Sequence, residues 1–397
     1  MTDIAYKQGL RRNITLYYFQ KFFLGLIFFL PVWVAFELRF TNFAGLALLE
    51  VIQALVGTVA ELPTGAFADI FGRKKSIALG MLSSATLFFF FGFLPSFPWL
   101  VVFFFIWGVT TTFISGADSA LLYDSLKDLS LEDTYAKVTS KGSLIYRIAI
   151  AIGTLTGGFL YKIWIPLPYV LYGVVYFVAG LLATQLTEPK IDSEKFSFRS
   201  YLRQTKTGVH EAFKNAHITF LSIYYVVIGG FSWAATYFFS NVYAQQNGFG
   251  PDKQGILFFF VYLIKSLFAV IIAHLEYFFN RKNIYIAMFI FSILSFLPAF
   301  YIHGFWIVSI ILATEFTSSL RFTLLDKYVN QEFDSRSRAT ALSFLSLLLN
   351  IVYVSTVFFT RNLSDSVGVG AIYSILGAII LIFISPITYL LVKNHHS

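Results

Sequence analysis

Twelve stretches of this chain are long and apolar enough to cross a bilayer as helices, and no other feature limits its fold so tightly. They lie near residues 12–36, 43–70, 76–94, 99–124, 142–163, 165–186, 217–246, 253–278, 284–302, 305–330, 338–361 and 368–392. A helical span needs roughly 20 apolar residues. The composition agrees: 57% of the 397 residues are hydrophobic and only 13% charged, with a mean hydropathy of +0.72. A water-soluble domain of this length has no use for so much apolar surface, so lipid is the solvent the chain is built for. The basic N-terminus runs into a full-length apolar stretch without a small-residue cleavage site, which predicts a retained first helix rather than a signal peptide. Cysteine is absent, so there is no disulfide framework.

Orientation follows from the distribution of Lys and Arg. With the N-terminus inside, 21 of these residues fall in cytoplasmic segments, among them Arg11, Arg12, Arg73, Lys74, Lys75, Arg281 and Lys282. The opposite side holds 4: Arg39, Lys162, Lys253 and Arg361. An even number of spans then puts both termini in the cytoplasm. Trp33, Trp99, Trp164 and Trp306 fall near the predicted outer boundaries, where amphipathic rings belong. The formal charge of +8 is accounted for by this asymmetry and calls for no nucleic-acid partner.

The longest polar stretch divides the chain into a six-helix half at 1–187, a linker at 188–216 and a second six-helix half at 217–397. In the linker, Tyr201, Leu202, Thr205, Val209, Ala212 and Phe213 share a helical face, with Arg199, Arg203, Lys206 and Lys214 supplying charge. That pattern predicts an amphipathic helix on the inner leaflet.

Between the second and third stretches the chain reads Gly65-Ala66-Phe67-Ala68-Asp69-Ile70-Phe71-Gly72-Arg73-Lys74-Lys75. Asp69 ends a span, Gly72 permits a turn too tight for a side chain, and the three cations resist entry into lipid. The loop resembles the Gly-x-x-x-Asp-x-x-Gly-Arg-Lys signature of the major facilitator superfamily. The resemblance implies an all-α membrane protein of twelve helices in two pseudosymmetric bundles, working by alternating access. It also implies that Gly65, Asp69, Gly72, Arg73 and Lys74 form a conformational latch. In that latch Asp69 faces the start of helix 11, here Asp334-Ser335-Arg336-Ser337, and Arg73 reaches Asp124. A worn copy of the loop, Glu276-x-x-x-Asn280-Arg281-Lys282, lies between helices 8 and 9 and suggests an internal repeat.

Helix 5 carries Ala149-x-x-x-Gly153-Thr154-x-x-Gly157-Gly158, which is similar to a drug-antiporter pattern, although Thr154 stands where that pattern has proline. Small residues four apart also let helices pack closely in lipid, whatever the function. Helix 4 of proton-coupled drug antiporters usually bears a buried arginine. Here nothing between Trp99 and Lys127 is basic.

An ionisable residue at mid-bilayer costs about 2.5–3.5 kcal/mol even on lenient scales, so each is a functional candidate. The spans hold eight: Lys21, Glu50, Glu61, Asp118, Arg147, Lys265, Glu315 and Arg321. Counting rise along each helix puts Lys21, Glu61, Asp118 and Arg147 in one layer roughly 8–14 Å from the inner surface. Two cations and two anions at one depth suggest the pairs Lys21–Glu61 and Asp118–Arg147. Glu61, Asp118 and Glu315 are the candidates for proton coupling, with Glu61 favoured for its place one turn before Gly65. Lys21, Trp107, Arg147, Trp233, Lys265 and Arg321 are the candidates for a substrate cavity. Lys265 and Arg321 suit an anionic solute group, and Trp107 and Trp233 offer stacking walls. Pro31 and Gly229-Gly230 are expected to interrupt helices 1 and 7.

No nucleotide-binding glycine loop, histidine pair with metal spacing or nucleophile–base motif is found, so neither an enzyme nor a cofactor or metal is expected. The expected function is proton-coupled export of a small organic solute by a monomer in a bacterial plasma membrane. The alternatives are uptake of a sugar, nucleoside or organic anion, and a membrane sensor or scaffold without transport.

Overall fold

The computed structural model describes residues 3–190, 198–275, 277, 279–333 and 338–393, and those residues fold as helices joined by short turns. Helix is what an apolar chain must adopt in lipid, because each backbone N–H and C=O finds its partner within the same segment. Twelve helical segments can be followed among the described residues. They are α1 (Asp3–Gly25, continued after a break by Trp33–Glu37), α2 (Phe43–Phe71), α3 (Arg73–Phe91), α4 (Phe97–Asp128), α5 (Tyr135–Ile163) and α6 (Leu167–Ala183). After the linker come α7 (Ala216–Gln246), α8 (Pro251–Leu275), α9 (Arg281–Tyr301), α10 (Gly304–Gln331), α11 (Arg338–Ser366) and α12 (Gly368–Lys393). Nine of them are long and apolar enough to cross a membrane on their own.

The chain divides into two compact units. Unit 1 is Met1–Thr41, Leu49–Phe196 and Pro251–Phe259; unit 2 is Asn42–Leu48, Ser197–Gly250 and Phe260–Ser397. In unit 1 much of the aromatic content is interior packing. Phe29, Phe88, Phe91, Phe103, Tyr169 and Tyr172 form a continuous cluster, with Phe91 and Phe103 centroids 4.2 Å apart and Phe88 edge-on to Tyr172 at 4.7 Å. In unit 2 buried tyrosines serve as polar pins. Tyr224 donates to the Tyr285 carbonyl at 2.6 Å, and Tyr243 to the carbonyls of Ala299 and Ile302.

The expected interruption at Pro31 is present, since α1 leaves helical geometry between Gly25 and Trp33. The one expected at Gly229-Gly230 is not. Both glycines lie inside a regular helix that runs to Trp233, and the irregularity comes later, as a π turn at Ala234–Phe239. The glycines allow close approach instead. A Cβ on Gly230 would stand 2.5 Å from Val352 Cγ1 of α11.

The linker contains a helix, Phe198–Ala212. It packs on α11 through Gly208, with Phe213 edge-on to Phe344 at 6.2 Å; the Ala212 carbonyl accepts from Ser222 Oγ of α7 at 2.8 Å, while Val209 stays exposed. The side chains of Arg199, Tyr201 and Leu202 lie outside the described residues.

Candidate functional site

The signature loop is built around one backbone angle. Gly72 has φ +97°, a conformation L side chains resist, and it turns the chain from α2 into α3. The first backbone N–H groups of α3 would otherwise be orphans. Glu188, at the end of the α6 exit, accepts from Arg73 N and Lys74 N at 2.8 Å each. A carboxylate there also meets the positive end of the helix dipole. The Arg73 guanidinium pairs with the Asp124 carboxylate of α4, both groups being mostly buried. Asp69 is exposed, and a Cβ on Gly65 would have open space around it. The helix-11 start, Asp334–Ser337, lies outside the described residues.

Unit 2 repeats this arrangement. The Asn280 side chain accepts from Asn283 N at 2.9 Å and so caps α9. Arg281 pairs with Glu332 and also donates to Gln331 Oε1 at 3.3 Å. Glu276, the first residue of the worn copy, lies outside the described residues.

The intramembrane charges of unit 1 do not pair as depth alone suggests. Lys21 Nζ lies 2.7 Å from Asp118 Oδ2, not beside Glu61. Glu61 and Arg147 both stand on exposed faces of their helices, so the Asp118–Arg147 pair is not formed. Equal depth places residues on one level, but pairing requires that they also face each other. Beside Lys21–Asp118 is a recess of only about 10 Å³, lined by Asn13, Tyr17, Gln20, Ile77 and Leu121 among others. That is space for about one water and far below the 300–1,000 Å³ usual for a small-molecule site.

In unit 2, Lys265 Nζ of α8 lies 2.5 Å from Glu315 Oε2 of α10, whose side chain is 4% exposed. Arg321 is more deeply placed at 2% and lies 3.8 Å from Asp326 Oδ1. Its guanidinium carbon sits 4.5 Å from the Tyr225 ring centre and 4.7 Å from that of Phe322. Arg321 Nε and Nη1 are buried without a hydrogen-bond partner among the described residues. Arg321 opens a π turn, Arg321–Leu325, a feature frequently found at functional sites.

A family model of the Major Facilitator Superfamily matches residues 14–274 and 221–397. The chain belongs to that superfamily. Membership makes it a membrane transporter of small molecules and not an enzyme. An uncharacterized MFS-type transporter of Bacillus subtilis strain 168, YxaM, is 26% identical over 151 residues, which are 38% of this chain and 37% of that relative. Among solved structures, the nucleoside transporter NupG has a similar fold, with a TM-score of 0.74, 12% identity and 98% of both chains covered. A bacterial homolog of the human lysosomal transporter Spinster, inward-facing and unoccupied, gives 0.69 at 15% identity, covering 99% of this chain and 98% of its own. The D-xylose–proton symporter gives 0.64 at 14% identity, covering 95% and 98%.

Within this superfamily chain, the small-residue stripe of α5 has a packing role that is visible directly. A Cβ on Gly153 would stand 2.7 Å from Ile27 N, one on Gly157 would collide with Phe28 O, and one on Gly158 would collide with Pro251 O. The stripe thus holds the broken stretch of α1 against α5. Trp107 packs among Phe88, Phe103 and Phe104, and Trp233 packs edge-on to Tyr237 and Tyr353. Both indole N–H groups are buried without a partner among the described residues. Sequence reading missed Glu188, Asp326 and Glu37. Glu37 is 2% exposed and has one buried oxygen, Oε2, unpartnered among the described residues. A carboxylate inside the aromatic run Phe36–Phe40 was the available signal for Glu37. Glu188 offered none, since a cap supplied from a distant segment leaves no local pattern.

Proposed function

We propose that this transporter moves a small organic solute bearing an acidic group, by alternating access and in exchange with protons. The observation that carries the proposal is the Lys265–Glu315 pair, a buried carboxylate held by a half-buried amine within unit 2. Removing one charge from a buried pair leaves the other uncompensated, at a cost of about 3–5 kcal/mol. Protonation of Glu315 would therefore release Lys265 to take a substrate anion, and substrate release would restore the pair. The unpartnered N–H groups of Arg321 add a second set of donors for the same anion. Asp118 is less suited to the role because its side chain is 20% exposed against 4% for Glu315, so losing its partner charge there costs less. Glu61 stands on an exposed face, and Lys21, the partner that depth suggested for it, is paired with Asp118.

The direction we propose is export, the reading to which the Ala149–Gly158 pattern points, by a monomer in a bacterial plasma membrane with both termini in the cytoplasm. Import is the second reading. It is favoured by the finding that close packing against α1 and against Pro251 accounts for the α5 glycine stripe. Nucleosides and D-xylose, named for two proteins of similar fold, are substrate classes to include in the test. Counterflow of labelled organic acids, nucleosides and sugars in proteoliposomes, with and without an imposed pH gradient, checks solute, coupling and direction together. Counterflow without any response to the gradient would overturn proton coupling. Orientation is checked by cysteine replacements in this cysteine-free chain. A replacement at Ser96 should react with an impermeant maleimide from outside, and one at Ser130 only after the membrane is opened.

A further inference from the structure

A shift of 208 residues (281 less 73) carries Arg73 onto Arg281 and Asp124 onto Glu332, the two ion pairs at the loop ends. The same shift carries Tyr17 onto Tyr225 and Asp118 onto Asp326. It also aligns two backbone irregularities, the non-helical turn at 113–116 in α4 and the π turn that begins at Arg321 in α10. The units therefore correspond residue by residue around these positions.

One member breaks the correspondence. In unit 1 the cation is Lys21, one helical turn after Tyr17. It lies 2.7 Å from Asp118 and 5.0 Å from the Tyr17 ring centre. The shift takes Lys21 to Gly229, one turn after Tyr225, where there is no side chain. The space is nevertheless filled. A Cβ on Gly229 would stand 2.8 Å from Arg321 Nε and 3.2 Å from Arg321 Cζ. The guanidinium thus occupies the place beside Tyr225 and Asp326 that the lysine stem occupies beside Tyr17 and Asp118.

We propose that Tyr225, Asp326 and Arg321 form the second copy of the Tyr17–Asp118–Lys21 site, with the cation transferred from the first helix of the unit to the fourth and Gly229 as the position it vacated. The physical requirement is for one cation against the aspartate and the tyrosine ring, and either helix can supply it. Two cations cannot share the space, because a side chain at 229 meets the guanidinium at less than contact distance. Gly229 is therefore a positioning residue for Arg321. This inference does not depend on the identity of the solute or the direction of its movement.

The test is thermal unfolding of the detergent-solubilised full chain, which needs no substrate. Arg321→Ala should lower the melting temperature by roughly 5 °C, as expected when a half-buried aspartate loses its partner and a buried side chain is truncated. Gly229→Lys alone should also lower it. The double variant Gly229→Lys/Arg321→Ala should recover at least half of the Arg321→Ala loss. Gly229→Met/Arg321→Ala, with a similar stem and no charge, should not. Adding Asp326→Asn to both doubles should erase the difference between them. Equal melting temperatures for the lysine and methionine doubles, or failure of both to fold, would overturn the proposal.

Discussion

Glu188 Oε1 lies 2.8 Å from the backbone nitrogen of Arg73, so the carboxylate that caps α3 comes from a segment 115 residues away. With its second oxygen on Lys74 N, Glu188 ties the exit of α6 to the signature loop. Helix caps of this kind contribute about 1 kcal/mol. Glu188→Ala should therefore speed hydrogen exchange at the Arg73 and Lys74 amides about fivefold, with smaller changes in the middle of α3. Mass-spectrometric exchange measures this, and unchanged rates would show that water replaces the cap without cost.

The two kinds of glycine in α2 and α5 should respond oppositely to alanine. At Gly157 the added methyl collides with Phe28 O, a backbone atom, so α1 and α5 must separate. Overpacking of this kind costs about 1–3 kcal/mol or more, and Gly157→Ala should reduce the yield of folded protein on size-exclusion chromatography. At Gly65 nothing lies within 4 Å of the new atom. Gly65→Ala should be neutral or stabilising by about 0.5–1 kcal/mol through helix propensity.

Coupling is tested by comparing carboxyl variants. Glu315→Gln removes the charge opposite Lys265 and should abolish pH-driven accumulation while leaving counterflow measurable. Glu61→Gln, on an exposed face without the Lys21 partner, should retain accumulation within about twofold of wild type. The reverse outcome, with Glu61→Gln uncoupled and Glu315→Gln coupled, moves the proton to α2. Replacing both members, Lys265→Met with Glu315→Met, should destabilise less than either single change, because no unpaired charge remains.

Asp69 is a separate matter from the Arg73–Asp124 pair next to it. It is exposed, so Asp69→Asn should leave insertion and melting temperature unchanged. If the latch proposal holds, transport slows at normal expression because the charge no longer stabilises one of the two alternating states. Wild-type transport in the variant would reduce Asp69 to an element of the turn.

The internal repeat shows how far a linear reading reaches. Arg73 and Asp124 were matched from the signature loop, and their ion pair forms. The worn copy at Arg281-Lys282 pointed to a second loop, yet its partner Glu332 is not an obvious choice in the sequence. The 51-residue interval becomes informative only after both pairs are seen. Lys21 was named correctly as an intramembrane cation and assigned the wrong anion, because a helix position specifies depth without specifying which neighbour it faces.

Number of spans, helical class, the signature loop and the left-handed turn at Gly72 were determined by the sequence itself. Lipid acts on each segment separately, and a tight turn depends only on its own residues. The pairing of Lys21 with Asp118, the seating of α1 on the Gly153–Gly157 stripe, the cap from Glu188 and the guanidinium beside Gly229 were decided only by tertiary structure. Each depends on the rotation of one helix about its axis relative to another. That rotation is set by the packing of many side chains at once, and no local stretch of sequence carries it.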